Sequence, residues 1–383
     1  MLLLCALFLF PFLTFAEGSA ELYAPIEAPP TILSDDYGTA VVQKILHEEH
    51  SERGGFPTLQ QRASMKFLDG AHEGEVFQLK HGVLANQEGG RLRAGDRVVI
   101  QRILRTDGEI LYLFREPYRI TAMIWLGIAF LLLSVLFGGL RGLSSVAGLV
   151  VSIVVLLFFV VPAIAGGKDP LLTSIFGAYS IACTSLYLAH GFNRRTSVAL
   201  LSTLITLTMA GICAYAATYA ASLFGTGSEE SLYLITGQFG DVHLRGLLIG
   251  GFIIGALGVL DDVTTAQCAT VDEISKANPS LSALELWRSG MSVGREHIAS
   301  LVNTLALAYV GTSLPLLLLF QSSDRLPTWL VLNGEMIAEE VVRTLVGSTA
   351  LLLAVPISTW LAVKFLRNKS GQVLPSCGHV HHH

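Results

Sequence analysis

Charge is scarce in this chain. Only 14% of its 383 residues are Asp, Glu, Lys or Arg, where soluble domains carry about 25%. Hydrophobic residues make up 52%, and the mean hydropathy is +0.57. That balance, with several long apolar runs, excludes an ordinary soluble globule and points to a polytopic membrane protein. The net charge of −5 is mild and gives no reason to expect a nucleic-acid partner. Cysteine is sparse: Cys5, Cys183, Cys213, Cys268 and Cys377 all lie outside the polar stretch 17–118, so no disulfide framework staples that stretch. A Walker A motif is missing too, so ATP is not a fuel bound by this chain.

The first fifteen residues are apolar but carry no Lys or Arg ahead of the apolar core. Residues 1–16 still read as a signal peptide cut after Ala16, the alternative being an uncleaved anchor helix. Residues 17–61 hold Pro25, Pro29, Pro30, Gly54, Gly55 and Pro57. They are expected to form an extended arm with one short helix near 38–51. His47-Glu48-Glu49-His50 in that helix lacks the His-Glu-x-x-His spacing of a metal-binding helix and reads as a solvated face.

Residues 62–118 form a β-rich module in this reading. Met65-Lys66-Phe67-Leu68 stops at Asp69-Gly70, Val76-Phe77-Gln78-Leu79 at His81-Gly82, and Ile110-Leu111-Tyr112-Leu113-Phe114 follows Asp107-Gly108. Short β-rich runs broken by such turns suggest a small barrel or meander outside the membrane, serving as a cap or partner-binding module.

From 119 to 366 the chain reads as a bundle of seven membrane helices, near 119–138, 144–164, 170–189, 197–224, 245–268, 297–320 and 338–366. An amphipathic stretch over 277–294, with Leu281, Leu284, Leu286 and Trp287, suits a helix lying on the membrane surface. Lys and Arg concentrate in the loops that would be cytoplasmic if 17–118 is outside. The reading is therefore N-out and C-in, in a bacterial inner membrane, with 367–383 a cytoplasmic tail. The His-rich end of that tail, from Cys377 to His383, could take a soft metal or do nothing.

The fifth segment carries the chemistry. Its apolar run, 247–260, is about fifteen residues long and falls short of the ~20 needed to cross a bilayer. It leads directly into Asp261-Asp262-Val263-Thr264-Thr265-Ala266-Gln267. An ionisable side chain at membrane depth costs about 2.5–3.5 kcal/mol on insertion scales, so it usually marks a function. Asp261, Thr265 and Asp272 share one helical face, and Asp262, Ala266 and Glu273 the next. The site could take a proton shared between acids or a divalent cation on Asp261, Asp262 and Asn303, the oxygen donors that hard cations prefer. Gly250, Gly251, Gly255 and Gly258 upstream allow close helix packing or a broken helix.

On the sixth segment Glu296, Ser300, Asn303 and Thr304 lie on one side, and Asn303 is expected to pair with Asp261 or Asp262. On the seventh, Glu339 and Arg343 form an i, i+4 pair that anchors a helix end or lines a vestibule. Ser174, Ser180, Thr184, Ser202, Thr203, Thr206 and Thr208 discriminate nothing alone.

The block Gly255-Ala256-Leu257-Gly258-Val259-Leu260-Asp261-Asp262-Val263-Thr264-Thr265-Ala266-Gln267, then 294–305 from Gly294-Arg295-Glu296-His297 to Asn303-Thr304-Leu305, resembles the YibE/F-like family of bacterial membrane proteins. The stretch 307–316 matches as well. The resemblance spans about 62–366 and is strongest over 245–320. It implies an exported β-rich region before a multi-helix membrane domain, and it groups Asp261, Asp262, Arg295, Glu296 and Asn303 in one signature without supplying an activity.

The leading expectation is a non-enzymatic transporter or permease, proton- or divalent-cation-linked, with no other cofactor. Its candidate residues are Asp261, Asp262, Thr265, Gln267, Glu296 and Asn303. Its partners would be the lipid bilayer, a small solute or ion, and a second copy or another membrane protein. The rivals are a receptor or scaffold working through 62–117 and an intramembrane hydrolase. Adjacent acids on a regular helix point about 100° apart, which disfavours the hydrolase.

Overall fold

The computed structural model describes residues 32–53, 56–84, 90–237, 239–315, 318 and 327–367. The expected signal peptide and the His-rich tail lie outside the described residues. The chain divides into two compact units, 1–127 and 128–383.

The first unit is an antiparallel sheet of five strands: β1 (Ile32–Arg53), β2 (Phe56–Phe67), β3 (Val76–Leu84), β4 (Arg97–Arg105) and β5 (Ile110–Pro117), in the order β3-β2-β1-β4-β5. The alternation that pleating demands supplies the core. Ala40 and Val42 of β1, Ala63, Met65 and Phe67 of β2, Phe77 and Leu79 of β3, and Val98 and Ile100 of β4 all turn to one buried face.

The segment expected to be a short helix over 38–51 is instead the middle of β1. Its first half pairs with β4 and its second with β2, with register shifts between Val42 and Lys44 and between Ile45 and His47. Bulges of this kind bend a strand and raise its twist. The two sheet edges then meet through side chains: Phe77 of β3 stacks on Tyr112 of β5 with centroids 4.2 Å apart, and His81 meets Phe114 at 4.4 Å. His47, Glu48, Glu49 and His50 are exposed, so their solvated character holds on a strand rather than on a helix.

The second unit is helical. α1 (Ile120–Val155) continues through a π-helical turn (Leu156–Val160) into α2 (Val161–Ala165). There follow α3 (Pro170–His190), α4 (Arg194–Ala220), α5 (Glu229–Thr236), α6 (Leu244–Ala277), α7 (Ala283–Thr312), α8 (Thr328–Leu332) and α9 (Glu335–Leu366). Among the described residues five pieces are long and apolar enough to cross a membrane, against the seven segments expected: 120–165, 170–190, 194–220, 244–277 and 335–366.

The first of these pieces takes in both of the first two expected segments. It is broken at Gly139, whose φ of 57° and ψ of −140° are non-helical and suit a residue without a Cβ. The break folds the chain so tightly that a Cβ on Gly142 would stand 2.0 Å from the Ser134 carbonyl oxygen.

The expected sixth segment also differs. Asn278 ends α6, and Ser282 with Glu285 forms a capping box that satisfies free N–H groups at the start of α7. From there the helix runs unbroken to Thr312. The amphipathic stretch is thus the first half of α7, not a separate surface helix. Leu286, Gly290 and Gly294 on it are buried.

α6 is the hub, packed against α3, α4, α7 and α9. Ile249, Phe252, Ile253, Ala256, Leu257, Leu260 and Val263 of α6 form the core with Ala178 and Ala182 of α3, Leu207 and Ala210 of α4, and Ala350 and Ala354 of α9. Small residues on the neighbours let the backbones approach, which is how helices associate where hydrophobic burial gives no net drive. The apolar side chains of α1, such as Leu136, Phe137 and Leu140, are exposed.

Candidate functional site

Asp261 is the seventeenth residue after the start of α6, roughly 26 Å along a helix of about 51 Å by the α-helical rise. Its Oδ2 accepts a hydrogen bond from Ser185 Oγ on α3 at 3.2 Å. Its Oδ1 is buried and accepts none among the described residues. One turn on, Thr265 Oγ1 is likewise buried without a partner. Between them Thr264 is fully buried, and its hydroxyl meets Thr203 Oγ1 of α4 at 2.7 Å. One stretch of α6 therefore presents an acid and a hydroxyl with unmet hydrogen-bonding capacity, closed in by hydroxyls from α3 and α4.

Asp262 points elsewhere. It is exposed, and His190, Arg195 and Arg141 share its surroundings at the end of α3. One aspartate half-buried and its neighbour exposed is the 100° offset of adjacent helical residues made visible. The two cannot share a proton across one water as an aspartyl dyad does.

Gln267 faces a third way. It is fully buried, and its Nε2 donates to the Gly290 carbonyl of α7 at 2.8 Å and to Thr359 Oγ1 of α9 at 2.7 Å. It clasps three helices where a Cβ on Gly290 would come within 2.9 Å of Val271 and 3.0 Å of Thr359.

Glu296 and Asn303 on α7 are exposed, and no hydrogen bond joins either to an aspartate among the described residues. The expected Asn303–Asp261 contact is replaced by Ser185–Asp261, because α3 rather than α7 packs on that face of α6. Sequence reasoning passes over Ser185. It lies at i+7 from Ala178 and i+3 from Ala182, on the small, buried stripe of α3, and that stripe was the available signal.

Asp272 and Glu273, near the end of α6, are held by Lys276 at 2.7 and 3.2 Å and by Arg195 at 4.0 and 3.8 Å. Paired in this way, they belong to a charged helix end and not to the buried site.

The donor set decides which ion suits Asp261. A divalent cation takes six or more oxygens, several of them carboxylates. Here one hydroxyl, Ser185 Oγ, meets one carboxylate, and among the described residues no group of three or more His, Cys, Asp or Glu could hold a metal. Among the described residues no hydrogen bond joins Asp261, Asp262 or Asn303 to one another.

At the start of α9 the geometry is different. The Glu335 carboxylate accepts from the backbone N–H of Gly225 at 2.8 Å and of Thr226 at 3.3 Å, from that of Phe224, and from Thr226 Oγ1 at 2.6 Å. Glu339, which is buried, accepts from Gly227 N at 3.1 Å. Arg343 pairs not with Glu339, as its i, i+4 spacing suggests, but with Glu340, Nε to Oε1 at 3.2 Å. The loop after α4 takes the Glu339 carboxylate for itself.

An acid-bearing hub helix with buried hydroxyls around it, in a bundle with five pieces long and apolar enough to cross a membrane, defines a membrane-protein class of fold with a buried polar site. The family description YibE/F-like protein matches residues 126–368, 243 of the 383 residues. The chain belongs to the YibE/F-like family. The match covers the helical unit and leaves the sheet outside, a narrower extent than the resemblance from 62 onward. No curated protein and no solved structure matches the chain.

Proposed function

We propose that the helical unit is a proton-linked transporter or permease of the bacterial inner membrane, with Asp261 as the group that gains and loses the proton. The sheet would lie on the extracytoplasmic side. The supporting observation is the buried Asp261 Oδ1 that no group among the described residues satisfies. A buried carboxylate lacking a partner must take up a proton or counter-charge, or suffer the full desolvation cost. Ser185 holds the second oxygen in place, and Thr265 offers the next hydroxyl along the helix. Asp262, exposed beside His190 and Arg195, is a relay position between Asp261 and water. Gln267 serves as a clasp, and the proton site uses neither Glu296 nor Asn303.

Purified protein in liposomes with an imposed pH gradient and a trapped pH-sensitive dye tests the reading. Wild type carries protons and Asp261→Asn does not. Equal proton flux from both removes Asp261 from the mechanism. Divalent-cation flux lost in Asp261→Asn without proton flux replaces the proton with a metal ion.

A further inference from the structure

A cavity of about 400 Å³ lies between the loop after α4, the N-terminal half of α6, the end of α7 and the start of α9. Its nearest point on α6, Gly251, is ten residues before Asp261, roughly 15 Å along the helix. Three ionisable side chains of α9 line it: Glu339, Glu340 and Arg343. Arg343 is ion-paired with Glu340, and among the described residues no ion pair joins it to Glu339. Glu339 uses Oε1 on Gly227 N, and its other oxygen has no hydrogen bond among the described residues.

The Arg343 guanidinium lies over the Phe252 ring at 5.1 Å and within 3.2 Å of Glu340, yet its buried Nε is not aligned for a hydrogen bond. Its terminal nitrogens, one of them beside Gly251, donate to no described residue. The fork of a guanidinium is built for a planar carboxylate. Two carboxylates on the same helix suit an ammonium. Leu244, Leu247, Leu248 and Met336 supply an apolar wall. The volume falls in the range of small-molecule sites, which combine apolar lining with a few convergent polar groups.

We propose that this cavity binds a small zwitterion with an apolar body, the chemistry of a free apolar amino acid, its carboxylate on Arg343 and its ammonium between Glu339 and Glu340. The inference stands apart from the proton site, since the two are a cavity's length from each other on α6.

Isothermal titration of the full chain in lipid nanodiscs tests it with glycine, L-leucine and L-phenylalanine. Two single-charge analogues of leucine, 4-methylpentanoate and 3-methylbutylamine, complete the set. At least one zwitterion binds, and each analogue binds at least tenfold more weakly than leucine. Arg343→Gln weakens binding at least tenfold, and Arg343→Lys restores part of it. Because α9 variants can impair folding, Gly251→Leu is the second arm. A Cβ there meets nothing nearer than an Arg343 terminal nitrogen at 3.9 Å, so the fold accepts a side chain while the cavity loses room, and binding falls. Asp261→Asn binds as wild type does, so failure of this inference is distinguishable from failure of the proton reading. No heat from any zwitterion, or equal binding of either single-charge analogue, overturns the proposal.

Discussion

Gly294→Ala is the smallest change that tests how the bundle is held together. A Cβ at Gly294 would stand 2.3 Å from Val355 Cγ1 of α9, and 3.1 and 3.2 Å from the Gln267 amide nitrogen and oxygen. Neither neighbour can yield easily. Val355 is fully buried and β-branched, with a stiff χ1, and the Gln267 amide is fixed by its two hydrogen bonds. Overpacking of this kind costs about 1–3 kcal/mol, while replacing a helical Gly by Ala returns about 1 kcal/mol of propensity. An approach of 2.3 Å to a stiff side chain belongs in the upper part of that range, about 2–3 kcal/mol, so the net loss is about 1–2 kcal/mol, and the unfolding midpoint falls by roughly 2–8 °C at the scaling for a unit of this size.

Thermal unfolding in detergent, followed by tryptophan fluorescence, reads that shift. Gly258→Ala is the control, because an added Cβ there meets nothing within 4 Å, and its midpoint stays or rises. Val355→Ala in the Gly294→Ala background relieves the contact, so the double variant is more stable than the two single losses summed, by about 1 kcal/mol or more. A Gly294→Ala midpoint equal to wild type, or strict additivity with Val355→Ala, would refute the packing of α7 on α9 described above.

Three further outcomes are expected. The buried hydroxyl pair Thr203–Thr264 makes each single Thr→Val change cost about 1–2 kcal/mol, while the double Val variant costs less than either, because no hydroxyl is left unpartnered; chemical unfolding of the four proteins checks this. Glu335→Gln weakens the charge-assisted grip on the 224–226 loop, and hydrogen exchange at those amides rises while exchange in α6 does not. In the sheet unit, burial lowers the His81 pKa below its ordinary value, opposed by its hydrogen bond to the Gly90 carbonyl. The unfolded chain therefore binds the proton more readily, and His81's contribution is present above about pH 6.5 and fades as pH falls through the folded value. The stability gap between wild type and His81→Gln in residues 17–118 narrows from pH 8 to pH 5; a constant gap would contradict the burial of that ring.

Long apolar helices could be read because apolar length is a one-dimensional signal, though five span-length pieces stand among the described residues where seven segments were expected. The buried acid of α6 could be read because a carboxylate directly after fourteen apolar residues is costly at that depth unless it has a use. What could not be read was direction. Asp261 and Gln267 lie six residues apart on one helix, about 1.7 turns, and the first faces α3 while the second faces α7 and α9. Only the packing order of the helices decides that. Asn303 on α7 was a sound partner by chemistry but the wrong one by geometry, and Ser185 was hidden among the hydroxyls of α3. β1 was misread for a related reason. His47-Glu48-Glu49-His50 and the residues around it carry no strong alternation, and the strand forms because β2 and β4 claim its two halves. Long-range pairing overrides local preference there.

The central claim is that Asp261 exchanges a proton inside the bundle. Infrared difference spectroscopy of the reconstituted protein between two pH values tests it most directly. Wild type gives a carboxyl signal that shifts in Ser185→Ala, where the hydrogen bond to Oδ2 is lost, and that disappears in Asp261→Asn. A signal identical in all three proteins would contradict the account.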